Sequence, residues 1–157
     1  MKRNIPPYEM LLWSVALPGF GQFLNGKYWK AVVLILLELI INMGANLNLI
    51  IMSSFQGEIE LALRQVNFQW LMFYPCVYMF SIYDAFKDAG GAQGRHDTLP
   101  FVGCAFIGTV GLMFSTKFRI FGVLLGPMWC PMLFAGVGLL AGAALKYFLL
   151  WRERAVV

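Results

Sequence analysis

Charge is scarce in this chain. Of its 157 residues only 13% are Asp, Glu, Lys or Arg, about half the share found in water-soluble domains. Histidine occurs once, no GxSxG stretch is present, and the cysteines have no base beside them in sequence, so nucleophilic catalysis has little support. The three cysteines, Cys76, Cys104 and Cys130, are odd in number and widely spaced. That pattern forms neither a disulfide framework nor a closely spaced metal motif; they read as small packing residues inside apolar segments. A long basic run is also missing, which argues against nucleic acid as a partner. So is a polar linker, and residues 1–157 read as one domain. No small-x-small cleavage site follows the first apolar stretch, so that stretch is expected to stay in the protein rather than leave as a signal peptide.

What is abundant is apolar and aromatic. Hydrophobic residues make up 60% of the chain, with 14 Phe, 6 Tyr, 5 Trp and 9 Met, and the mean hydropathy is +0.70. The expected fold is an all-α polytopic membrane protein with about four spanning helices, plus short segments broken by Gly and Pro or re-entering the bilayer. Ala31–Phe55 is the longest apolar run and reads as one helix of 25 residues, which rises about 37 Å and exceeds the roughly 20 residues a span requires. Residues 56–69 read as a surface helix or a helical extension of the preceding span. In Trp70–Ala89, Pro75 is expected to kink a span. Leu99–Lys117 would give a glycine-bearing span of 19 residues, after the loop Gly90–Pro100. Ile120–Trp151 is too long for one ordinary span and carries Gly126-Pro127 and Pro131, so it divides into a short Ile120–Trp129 and a span Met132–Trp151 rich in small residues.

The stretch Leu17–Lys30, LPGFGQFLNGKYWK, joins a short broken segment, Met10–Leu24, to the long apolar run. Fifteen residues with Pro18-Gly19 inside them are few for a straight span. If this segment re-enters and the four longer ones cross, nine Lys and Arg fall on one side and Arg64, Lys117 and Arg119 on the other. If it crosses as well, the bias almost vanishes. The excess of cations on cytoplasmic faces favours the first topology, with both termini cytoplasmic.

Pro18, Gly19, Gly21, Gln22, Asn25, Gly26 and Lys30 resemble the PGxGQxYNGxxxKG-like motif of a group of small bacterial multi-pass membrane proteins, similar to TM2-domain proteins. Phe23 stands where an aromatic is usual, and Ala31 replaces the final Gly. Ser81–Ala89, SIYDAFKDA, resembles the WxxxDAYxxA-type ending of the following helix in that group, carried by Asp84, Ala85 and Ala89. The resemblance covers residues 12 to 89. It implies a bacterial cell-membrane location and a helical fold, and no established activity; the last third of the chain has no assigned family pattern.

Two sets of side chains stand out as candidate sites. Glu38, Asn42 and Asn46 recur every fourth residue, so on a continuous helix they share one slowly drifting face. They would form a polar path for an ion or small solute, or a helix contact sewn by polar groups; a carboxylate there should face protein or water rather than lipid. Asp84 and Asp88 close a helix as membrane-end carboxylates, and a solvated helix end or a salt bridge to Lys87, Arg95 or Lys27 is expected in preference to metal binding with His96 and Asp97. No cofactor is implied. The function expected is that of a small integral membrane scaffold or accessory subunit, in contact with lipid and with itself or another membrane protein. The alternatives are an oligomeric channel or transporter and, more weakly, a lipid-active enzyme.

Overall fold

Proline starts helices in this chain and glycine stops them. The computed structural model describes residues 6–155; Lys2 and Arg3, assigned above to the basic side, lie outside them. Pro7, Pro75, Pro100 and Pro127 occupy the first or second position of α1 (Pro7–Ala16), α7 (Tyr74–Asp88), α8 (Leu99–Phe114) and α9 (Gly126–Ala155), where a missing N–H costs nothing because no intrahelical partner awaits it. α2 (Phe20–Leu24), α4 (Leu47–Phe55) and α7 all end in the same way. A glycine with positive φ (Gly26, Gly57 and Gly90) turns the chain, and the next N–H bonds back five residues, as from Lys27 to the Gln22 carbonyl at 2.8 Å.

α3 (Tyr28–Ala45) and α9 are long and apolar enough to cross a membrane. Few of their residues are covered: 28% of the α3 window and 11% of the α9 window is buried. The core helix of a water-soluble protein would be mostly covered.

The expected single helix over Ala31–Phe55 is corrected. α3 stops at Ala45, and Asn46 adopts a left-handed conformation (φ 59) before α4 begins at Leu47. Asparagine tolerates that conformation, and the broken ends are satisfied: Asn67 N–H donates to the Ala45 carbonyl at 3.2 Å, and Asn46 Nδ2 donates to the Gln65 carbonyl at 2.9 Å. Residues 47–65 are therefore an excursion tied at its base. It contains α4 and α5 (Ile59–Gln65), the surface helix expected in 56–69. Ala45, Leu47, Ile50, Ala62, Leu71 and Leu112 form the buried cluster beneath it. The short α6 (Phe68–Leu71) then lays Trp70 over Gly44, where an added Cβ would come 2.5 Å from the indole.

Three further expectations change. Pro75 kinks nothing, because it begins α7. The helix expected over Leu99–Lys117 stops at Phe114, giving 16 residues. Ile120–Trp151 does not divide at Pro131. Its first residues form a two-stranded antiparallel hairpin, β1 (Arg119–Ile120) with β2 (Val123–Leu124), and α9 continues through Pro131 for 30 residues. Gly111 of α8 lies opposite this proline: a Cβ there would sit 2.9 Å from Pro131 Cα.

α8 and α9 form an antiparallel pair at backbone distance. A Cβ on Gly103 would sit 2.5 Å from the Gly138 carbonyl oxygen, and one on Gly142 would strike Leu99 and Pro100. The bundle has two ends. One gathers Asn25–Lys30, Asp84–Asp97 and the last turns of α9. The other gathers the α4–α5 excursion and the hairpin, where Trp129 Nε1 donates to the Ser54 carbonyl at 3.1 Å.

Candidate functional site

Residues 7–25 fold into a helical hairpin against α7. Leu17 is extended and Gly19 has φ +93, so the chain reverses between α1 and α2. Met10 lies against Gly21, and Gly21 against Ala85. At the hairpin's other end, Tyr78 donates its hydroxyl proton to the Val15 carbonyl at 2.6 Å. α1 therefore runs from the Ala85 level to the Tyr78 level, and α2 returns. Both ends of the hairpin point toward the same end of the bundle.

The motif residues meet one face of α7. Ser81, Asp84, Ala85 and Asp88 follow an i, i+3, i+4, i+7 spacing, which puts them on a single helical stripe. Gly19 N–H donates to Ser81 Oγ at 3.0 Å. Gln22 Nε2 donates to the Ser81 carbonyl at 2.8 Å and to Asp84 Oδ2 at 3.1 Å. Asn25 Nδ2 donates to the Ala85 carbonyl at 2.9 Å. Lys30, from the first turn of α3, bridges Asp84 Oδ1 at 2.7 Å and Asp88 Oδ2 at 2.8 Å. The salt-bridge partner of these carboxylates is thus Lys30, not Lys87, Arg95 or Lys27; the turn at Asn25-Gly26 carries the lysine back over the end of α7.

The glycines make this approach geometrically possible. A Cβ on Gly19 would fall 2.8 Å from both the Ala31 carbonyl and Ile35. One on Gly21 would collide with Ser14 Oγ and come within 2.8 Å of Ala85 Cβ. Gln22 is fully buried, and its two donated bonds offset the loss of water around its amide. Gly26 has open space around it and is needed only for its positive φ.

Glu38 faces inward, 8% exposed, on the buried stripe of α3 with Ala31, Leu34 and Ile41. Tyr74 of α7 lies beside it, and its Oε2 is buried without a hydrogen bond. Asn42 instead donates to Asn48 Oδ1 at 3.2 Å, and Asn46 forms the helix break. The structure therefore gathers Glu38 with tyrosine and does not align all three polar residues on one face.

His96 and Asp97 are drawn to α9 rather than to Asp84 and Asp88. Glu153 engages His96 Nε2 at 3.0 Å and Arg95 at 3.2 Å. Lys146 bridges Asp97 at 2.6 Å and, with the Gly94 N–H, holds that carboxyl below its usual range. Among the described residues no cluster of three His, Cys, Asp or Glu is placed to share a metal ion.

Sequence reasoning missed Ser81, Tyr74, Tyr78 and Glu153 as partners. The i, i+3, i+4, i+7 stripe on α7 was a readable signal for Ser81. The tyrosines gave none, since aromatic residues are common throughout the apolar stretch that holds them. Compared with family models, with curated proteins and with solved structures, the chain has no significant match to any.

Proposed function

We propose that the protein is a small multi-pass scaffold or accessory subunit of a bacterial cell membrane, acting through helix interfaces. One observation carries this reading: the polar side chains of the motif, Gln22, Asn25 and Lys30, are committed to α7 and line no reaction centre. The motif builds a framework. The uncovered apolar face of α9 is then left for lipid and a partner helix. Met132, Val137, Leu140 and Tyr147 are exposed on it, and Gly136 has open space where a side chain would be. The resemblance to the TM2-like group is part of this proposal, supported by the contact between its two motif segments.

The same reading has α3, α7, α8 and α9 crossing and the 7–25 hairpin re-entering. Lys27, Lys30, Lys87, Arg95, Lys146, Arg152 and Arg154 mark one end of the bundle, and Arg64, Lys117 and Arg119 the other. The excess of cations supports a cytoplasmic location for the first end and, in this proposal, for both termini. A pore has less to rest on. Neither the lateral groove between α3 and α7 nor the cavity between α7 and the α8–α9 pair includes Glu38.

The test is the mass of the purified species in mild detergent. Wild type should migrate as an oligomer or with a second membrane protein, and Gly136→Leu or Ala144→Leu should release it without lowering its thermal stability. Glu38→Gln should leave the assembly intact, and liposomes carrying the protein should show no ion flux. A wild-type monomer without a partner, or flux that changes in Glu38→Gln, would overturn the reading.

A further inference from the structure

Two lateral grooves flank the outer edge of α7 and share Cys76 and Phe80 as a common wall. The first lies between α3 and α7, with a volume of about 400 Å³, and Val33, Leu37 and Val77 line its floor. The second lies between α7 and α8, with a volume of about 480 Å³, over Met79, Val102 and Ala105. Phe80 stands between them, 58% exposed. From Cys76 to Asp84 is eight residues of helix, about 12 Å, so each groove follows the upper part of one hydrocarbon leaflet.

Both grooves lead to one charged station. Lys30 and Asp84 close the first. Tyr83 closes the second, with Lys87 Nζ 5.9 Å above its ring. The station holds Lys30, Lys87, Asp84 and Asp88, two cations against two carboxylates. Asp84 spends both oxygens, on Lys30 and Gln22. Asp88 spends only Oδ2, on Lys30. Among the described residues, Asp88 Oδ1 accepts no hydrogen bond and Lys87 has no carboxylate partner.

We propose that one diacyl phospholipid with a zwitterionic, primary-amine headgroup straddles α7, with a chain in each groove on either side of Phe80. Its phosphate lies between Lys87 and the remaining donor of Lys30, and its ammonium donates to Asp88 Oδ1. Paired grooves fit two acyl chains better than one, and a station of zero net charge carrying both signs matches a headgroup that does the same. An anionic glycerol headgroup would bring no cation to Asp88 Oδ1, and a quaternary amine could not donate to it. The inference rests on the membrane location proposed above.

The experiment measures lipid retained by the full chain, by native mass spectrometry after detergent delipidation. Phosphatidylethanolamine, its single-chain lyso form, phosphatidylglycerol and phosphatidylcholine are added back separately. Wild type should keep one phosphatidylethanolamine in preference to the other three. Lys87→Gln should weaken that retention about tenfold, as expected for one lost charge-assisted contact. Ala105→Trp, which fills the second groove, should abolish the preference for two chains over one. Equal retention of all four lipids, or unchanged binding in both variants, would overturn the proposal. Carbonate extraction separates its failure from that of the membrane reading. A chain that stays in the membrane pellet but strips clean of lipid defeats this inference alone, whereas a chain released by carbonate defeats both.

Discussion

The two halves of the bundle are joined by opposite means. The hairpin of α1 and α2, with the first turn of α3, is held to α7 by directed polar bonds, from a backbone N–H, two amide side chains and the Lys30 ammonium. The α8–α9 pair is held by the absence of side chains: Gly103 meets Gly138, Gly142 meets Leu99, and Gly108 meets Ala135. Polar bonds between helices are valuable where lipid offers no substitute, and glycine contacts maximise dispersion between backbones. A polar clasp tolerates small displacements and, where its ion pairs are exposed, responds to salt. A backbone contact responds mainly to volume. Substitutions should therefore separate the two halves by kind as well as by size.

The largest effect belongs to the glycine pair. Gly138→Leu should destabilise the fold by more than about 3 kcal/mol, because the new side chain meets backbone that cannot rotate away. Thermal unfolding in detergent should show this as lost cooperative melting, while Gly136→Leu should melt as wild type. Next comes Gly21→Ala, at about 2 kcal/mol, since its methyl group displaces Ser14 and presses on Ala85. Gln22→Leu should cost about 1–3 kcal/mol, leaving buried polar groups on α7 without their donor; the same melting assay checks it.

The ionic contacts should give smaller effects. Lys30→Met should cost about 1 kcal/mol at low salt, because the lysine is half-exposed and screened. Raising ionic strength should reduce the difference from wild type, whereas the Gly138→Leu deficit should not change. The smallest expected effect is acid sensitivity at the Asp97–Lys146 bridge. Lys146 holds the Asp97 carboxyl below its ordinary value of 3.8. The bridge therefore adds stability above that value and loses it as pH falls through the lower, folded-state value. Asp97→Asn should be less stable than wild type at neutral pH and should lack this acid-linked loss when melting is followed across the acid range.

Much of the punctuation was legible because Pro and Gly act locally. Pro100 and Gly90 marked helix bounds by rules that need no tertiary context. Pro75 and Pro127 obey the same rules but were misread as interruptions, since each follows apolar residues that hide where the helix begins. The break at Asn46 was hidden for a related reason. Asn42 and Asn46 match a helical period, and the bonds that favour the break come from Gln65 and Asn67, about twenty residues away in sequence. The clasp was half legible. Its residues were all in the two motif segments, but the pairing of Lys30 with both Asp84 and Asp88 depends on the return of α2 beside α7.

The most direct measurement of this arrangement is sided labelling in intact cells. Single cysteines at Tyr8, Lys27 and Phe121 would replace the native ones in a chain where Cys76, Cys104 and Cys130 are changed to alanine. All three sites are exposed, and a membrane-impermeant maleimide would be applied before and after permeabilisation. Tyr8 and Lys27 should react only after permeabilisation, while Phe121 should react before it. Tyr8 and Lys27 reacting from opposite faces would contradict the re-entering hairpin on which the clasp and the lipid station depend.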